Sequence, residues 1–382
     1  MNEKKCPVAK KCGGCQLQNM TYADQLQYKQ KKVKALLSRF AKPEKIVGMK
    51  NPYYYRNKVQ AAFATNSRNR IISGVYQSSS HKIVCVNSCL TEDEKADKII
   101  VDIREMLPKF GLSAYDEKRE IGFLRHVLVK RGFSTGEIMV VLVTATNIFK
   151  SKNAFITALL EKNPEITTVI QNINSGFTSL VLGEKEKVLF GKGYIEDVLC
   201  GLRFKISAKS FYQINPVQTE VLYSKAIGYA DLSGNEIVFD AYCGIGTIGL
   251  IASKRAGKVV GVELNPDAVR DAKENAAING IENAEFFAAD AGDFMKEAAS
   301  FGEKPDVVFM DPPRAGSSVK FLKSLLSVAP KKIVYVSCNP QTMARDLNLL
   351  TKKYVVKKLC PVDMFPHTNH VECVALLSKV QN

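Results

Sequence analysis

A cysteine at position 338 ends the apolar run Ile333-Val334-Tyr335-Val336-Ser337 and opens a Ser-Cys-Asn-Pro turn. A β-rich run that stops at such a turn delivers its last side chain to the carboxyl edge of an open α/β sheet, where ligands bind. A thiolate is among the strongest nucleophiles a side chain offers near neutral pH. A buried thiol packed as a small hydrophobe is the plainer alternative. Further along, Glu372 lies in His370-Val371-Glu372-Cys373-Val374. Burial among such neighbours raises the pKa of a carboxyl into the range of a useful base. A salt-bridged edge residue is the plainer account of it. His367 and His370 are alternative bases, although histidines so placed more often only hydrogen-bond to a loop.

Upstream, Asp240-Ala-Tyr-Cys-Gly244-Ile-Gly246-Thr-Ile-Gly249 joins a strand to a helix. Glycines permit the tight turn and let backbone approach a ligand. The same glycines fit a dinucleotide fingerprint, but a nicotinamide enzyme would have no use for Cys338. Glu263 ends the next strand, where a carboxylate accepts both hydroxyls of a ribose, and Asp290 and Asp311 end the two after it. An Asp at a strand end can simply cap the next helix. Four acids in register point instead to a cofactor with a cationic end, S-adenosyl-L-methionine, and away from a diphosphate.

Asp311-Pro312-Pro313-Arg314 carries Arg where an aromatic would suggest methylation of an exocyclic amine. A carbon target needs different chemistry. Carbon 5 of uracil becomes nucleophilic only after a thiolate adds at carbon 6, and its proton must then be removed. Such a site needs one cysteine and one base, and Cys338 and Glu372 fit the two roles. An RNA cytosine-C5 methyltransferase would use a second cysteine where Pro313 stands.

Cys6, Cys12 and Cys15 form a tight Cys-x5-Cys-Gly-Gly-Cys cluster that needs a fourth ligand, and Cys85 and Cys89 are both candidates. No histidine lies near the first three, which favours a four-cysteine iron–sulfur cluster over zinc. A non-enzymatic iron–sulfur RNA-binding protein would share this feature. Ten cysteines in a chain with a polar start and no long apolar run read as a cytosolic protein with no membrane span. The net charge of +16 implies a polyanionic partner, most simply nucleic acid. The first fifty residues hold 12 Lys and Arg against 3 Asp and Glu.

Three segments position these residues. Residues 1–52 hold the cysteine loop and a basic helix from about Tyr22 to Phe40. Residues 53–204 read as a mixed α+β region that grips RNA, with Tyr53, Tyr54, Tyr55, Arg56, Lys58, Arg68, Arg70, Arg125, Lys130 and Arg131 as candidates. Residues 205–382 alternate strands and helices, a Rossmann-type, doubly wound sheet. Its last two strands, Tyr354 to Leu359 and His370 to Val380, have a short connection and so pair antiparallel.

The pieces Asp-Pro-Pro-Arg-Ala-Gly (311–316), Val-Ser-Cys-Asn-Pro (336–340), Asp-Met-Phe-Pro-His-Thr (363–368) and His-Val-Glu (370–372) closely resemble the bacterial RNA uridine-C5 methyltransferases that make 5-methyluridine. Phe211-Tyr212-Gln213-Ile214-Asn215 is similar to the segment opening that family's catalytic domain. The resemblance implies Cys338 as nucleophile, Glu372 as proton acceptor, and Gln213, Tyr242, Glu263 and Asp311 as contacts to adenosylmethionine. It implies a 4Fe-4S cluster on Cys6, Cys12, Cys15 and, from Ile-Val-x-Val-x-x-Cys, Cys89. It further implies structured RNA as the substrate, 23S rRNA before tRNA; a monomer is the expectation for the chain. Many relatives carry a β-barrel RNA-binding domain before the cysteines, and the expectation here is that it is absent.

Overall fold

The computed structural model describes residues 5–78, 80, 82–176, 178 and 180–380. They form two compact units. One holds the described residues up to Asn19, with Asn51–Val198 and Lys205–Lys209; the other holds Met20–Lys50, Leu199–Phe204 and the residues from Ser210 onward. Two helices open the chain, α1 (Ala9–Cys12) and α2 (Tyr22–Leu37).

The first unit is built on a sheet of β1 (Lys58–Thr65), β2 (Ile71–Tyr76), β3 (Ile83–Cys85), β4 (Leu124–Arg131), β5 (Ile138–Thr144), β6 (Ile166–Ile173) and β7 (Lys185–Phe190), in the order β3-β2-β1-β4-β5-β6-β7. Only β5 and β6 pair in parallel. Helices α3 (Glu94–Met106) and α4 (Lys152–Lys162) supply the layer that covers it. Ile99, Ile103, Phe155 and Leu159 pack with Val127, Val129, Val140 and Leu142, alternate residues of β4 and β5. A two-stranded pair follows, β8 (Ile195–Leu199) and β9 (Leu202–Ile206).

In the second unit, α5 (Pro216–Ala230) leads into β10 (Ile237–Ala241), α6 (Thr247–Ser253), β11 (Lys258–Glu263), α7 (Pro266–Ile278) and β12 (Ala284–Ala288). Then come α8 (Ala291–Ser300), β13 (Val307–Met310), α9 (Val319–Val328), β14 (Lys332–Ser337), α10 (Pro340–Leu350), β15 (Tyr354–Val362) and β16 (Glu372–Lys379). The strand order is β12-β11-β10-β13-β14-β16-β15. β10 pairs in parallel with both β11 and β13, so the order reverses there and a crevice opens at the carboxyl ends. The expected antiparallel ending is present: β16 inserts between β14 and β15 and runs against both. Helix α2 belongs to this unit, with Val33 and Leu37 fully buried in the core beside Tyr335 and Leu347. Each such side chain contributes about 1.5–3 kcal/mol by leaving water.

Candidate active site

The register of β14 against β16 decides the geometry. Ser337 pairs with Cys373, so the residues next along, Cys338 and Glu372, come off adjacent strands side by side. Glu372 is only 2% exposed, and its Oε2 has no hydrogen-bond partner among the described residues. Burial, and then the Asp311 carboxylate, push its carboxyl up to about 8, against the opposing Arg314 charge. Burial likewise raises Asp311 to about 7. The half-buried Cys338 thiol is pushed up to about 11, first by burial and then by Glu372 and Asp311; Arg314 again opposes. These four side chains therefore share one electrostatic neighbourhood. The loop bearing Arg314 is fastened beside the cysteine turn, since Asn339 Nδ2 donates to the Arg314 carbonyl at 3.3 Å.

The glycine turn lies at the end of β10. Tyr242 has φ 64, a left-handed backbone uncommon for a non-glycine residue, and Gly244 and Gly246 follow at φ 54 and 84. This turn aims the Tyr242 ring at Phe321, centroids 5.2 Å apart. Glu263, the last residue of β11, accepts from the backbone of Gly244 at 3.3 Å and of Asn265 at 3.0 Å. A cavity of about 230 Å³ forms here, with Tyr242, Glu263, Asp290, Pro313, Gly316 and Phe321 in its wall. Its size suits part of a nucleoside.

The four acids expected in the crevice divide. Glu263 and Asp290 line the cavity; Asp240 and Asp311 are not in its wall. Asp240 is 1% exposed and accepts from Gly249 N at 2.7 Å, which ties α6 to β10. Asp290 also caps α8, accepting from the backbone of Gly292 and Asp293 at 3.0 Å each. The capping reading thus holds for Asp290 together with the lining one. Gln213 is buried outside that wall, bonded to the Tyr223 hydroxyl, which lies 3.4 Å from Thr247 Oγ1. His367 is occupied with helix α2, its ring Nδ1 3.1 Å from Gln25 Nε2.

Sequence reasoning missed two groups. Arg314 bears on both Cys338 and Glu372, and its signal was the Arg that follows the two prolines. Tyr223 gave none, because a Tyr on an apolar helix face reads as core.

The cysteines Cys6, Cys12, Cys15 and Cys89 all lie in the first unit. Burial raises Cys15 to about 11, with Arg56 opposing and Cys12 and Cys6 adding to the rise, so these three thiols are close enough to influence one another. Cys89 is raised to about 12 by burial and then by Glu92, which also acts on Cys15. Cys85 is exposed, its Sγ 3.5 Å from Arg104 Nη1. Among the described residues, no three His, Cys, Asp or Glu side chains are arranged to hold a metal ion. The thiols are thus the right donors in one neighbourhood, and the structure does not assemble the expected cluster's ligand set. Among the described residues, no helix is long and apolar enough to cross a membrane.

Residues 21–380 match the family model described as tRNA (uracil-5-)-methyltransferase. An uncharacterized RNA methyltransferase of Bacillus cereus is 44% identical over 385 residues, covering 99% of this chain and 84% of its own. One from Clostridium tetani is 46% identical over 381 residues, covering 98% and 83%. Among solved structures, the Pyrococcus abyssi tRNA (uracil-54, C5)-methyltransferase in complex with S-adenosyl-L-homocysteine superimposes with a TM-score of 0.79 at 30% identity. That likeness covers 98% of this chain and 87% of the other.

Proposed function

Because the chain belongs to the tRNA (uracil-5-)-methyltransferase family and is an RNA (uracil-C5) methyltransferase, we propose that it methylates a uridine of 23S rRNA through a covalent adduct to Cys338. The observation that carries this reading is the pair Cys338 and Glu372, side by side at the ends of β14 and β16 and next to Asp311. S-adenosyl-L-methionine supplies an electrophilic methyl group on a sulfonium. Gln213, Tyr242, Glu263 and Asp311 would hold it: Tyr242 and Glu263 line the cavity whose size suits part of a nucleoside, and Gln213 and Asp311 lie outside its wall.

Cys338 loses its thiol proton to water and adds as a thiolate to carbon 6 of the uracil, and the ring electrons shift toward O4, making carbon 5 nucleophilic. Carbon 5 then takes the methyl group as its bond to the sulfonium sulfur breaks, releasing S-adenosyl-L-homocysteine. Glu372 accepts the carbon 5 proton, the carbon 5–carbon 6 double bond reforms, and the thiolate of Cys338 leaves. A base inside folded RNA must first be extruded to reach the thiol.

The segments 1–52, 53–204 and 205–382 divide the work into cysteine loop with basic helix, RNA grip, and methyl transfer. A 4Fe-4S cluster on Cys6, Cys12, Cys15 and Cys89 pins the cysteine loop and takes no part in methyl transfer. Its support is the motif, the mutual influence of Cys6, Cys12 and Cys15, and the Glu92 that Cys15 and Cys89 share. The resemblance to iron–sulfur relatives favours rRNA; the likeness to the archaeal tRNA enzyme makes tRNA the second reading. We place the protein in the cytoplasm as a monomer.

The test uses 5-fluorouridine-substituted 23S rRNA fragments and tRNA with adenosylmethionine. Fluorine at carbon 5 leaves no proton to remove, so a stable adduct through Cys338 accumulates with rRNA. No adduct, or the same adduct from Cys338→Ala, rejects the mechanism; an adduct with tRNA alone rejects the substrate.

A further inference from the structure

One face of α2 is polar where a core face is expected. Tyr22, Gln25, Lys29 and Lys32 recur at helical spacing, yet Gln25 and Lys29 are buried. Each of the four bonds the loop 363–370. The Tyr22 hydroxyl donates to Asp363 Oδ2 at 2.9 Å. Gln25 Oε1 accepts from the backbone of His367 at 2.8 Å, and its Nε2 lies against His367 Nδ1. Lys29 Nζ donates to Asp363 Oδ1 at 2.6 Å and to the Phe365 carbonyl at 2.9 Å. Lys32 Nζ donates to the Asn369 carbonyl at 3.0 Å. The helix thus holds Asp363, Phe365, His367 and Asn369, every second residue of the loop. From the start of α5, Asn215 Nδ2 donates to the Met364 carbonyl at 2.9 Å, and Gln218 Nε2 to the Asp363 carbonyl at 3.1 Å.

The loop ends at Glu372, the first residue of β16, so no ladder fixes the residues just before it. The Glu372 Oε2 has no partner of its own among the described residues. Glu372 itself pairs with Val362 in the β15–β16 ladder, and the backbone leading into it is the part that α2 holds. Both members of the Lys29–Asp363 ion pair have 0% side-chain exposure. Apolar residues of similar volume serve stability as well as or better than a buried pair. What such a pair does impose is a single geometry, and His367 is held at φ 68 within it.

We propose that α2 is a positioning element for the proton-accepting carboxylate: Gln25, Lys29 and Lys32 fix the loop 363–370 and through it Glu372. The inference rests on the proposed base role of Glu372. On this proposal they act through the loop and not on the reacting atoms.

The experiment separates formation of the covalent RNA adduct from its resolution in single-turnover reactions. Gln25→Leu removes both bonds to His367, and the pair Lys29→Met with Asp363→Leu removes both charges together. In each, methylated adduct on ordinary uridine RNA should resolve on the order of ten- to a hundredfold more slowly. Adduct formation on 5-fluorouridine RNA and affinity for S-adenosylhomocysteine should stay within about twofold of wild type, the spread ordinary for distant, independent sites. Lys32→Ala, a milder change at a half-buried residue, should slow the same step less and keeps the test open if the double variant does not fold. Resolution at the wild-type rate, or formation and resolution falling by one common factor, overturns the proposal. Glu372→Gln is the control. If it accumulates adduct while the α2 variants resolve normally, the positioning role alone fails; if it accumulates none, the base reading fails and this one with it.

Discussion

The carboxyl of Glu372 and the thiol of Cys338 make opposite demands on charge. A carboxylate beside the thiol opposes the thiolate, yet only a carboxylate can take the carbon 5 proton. Burial settles the balance by holding Glu372 protonated up to about 8. On the proposed mechanism, resolution of the methylated adduct should rise by about tenfold per pH unit up to about pH 8 and level off above it. A pH-independent rate from pH 6 to about 8 would remove Glu372 from that role. The linkage to stability has a definite sign. A carboxyl raised above its usual 4.5 favours the fold in its protonated form, so its contribution is complete below 4.5 and is lost as pH climbs through about 8. Glu372→Gln should therefore gain on wild type in urea midpoint over that window, and a constant difference would contradict the raised pKa.

At the scale of elements, the turn after β10 and the end of β11 are held by close packing as much as by hydrogen bonds. Gly261 of β11 stands opposite Phe286 of β12 in the register. A Cβ on Gly261 would fall 2.4 Å from that ring, which is 2% exposed and has little room to move. Gly261→Ala should cost about 1–3 kcal/mol by overpacking. Because β11 ends at Glu263, adenosylmethionine affinity should fall as well. An unchanged urea midpoint would show that the ring yields. The antiparallel β16 serves the site differently, carrying a carboxylate to the edge where a parallel strand has already delivered a thiol.

For the whole molecule, the two units carry different chemistry. The thiols Cys6, Cys12, Cys15 and Cys89 lie in one, and Cys338 and Glu372 in the other. Methyl transfer involves no change of oxidation state in the protein, so a cluster in the first unit would serve structure and not catalysis. Protein purified without oxygen should hold iron and sulfide near the about four of each expected for such a cluster. Cys15→Ala should lose both, while its melting transition falls and S-adenosylhomocysteine binding persists. Zinc alone on elemental analysis would reject the cluster.

Much of the second unit was legible in the sequence, because buried parallel strands read as unbroken apolar runs and each ends at a residue of distinct chemistry: Tyr242 after β10, Glu263 on β11, Cys338 after β14. The thiol, the carboxylate and the glycine turn could be chosen from one-dimensional signals, since strand periodicity and turn residues are local properties. What sequence could not supply was register and burial. One residue of slip in β16 would turn Glu372 to the opposite face. Only the fold decided that Asp240 serves Gly249, that Tyr223 bonds Gln213, and that Lys29 on a basic helix is buried against Asp363 far along the chain. Those pairings join residues distant in sequence, and a charged side chain announces its solvation only when the surface that covers it is in place.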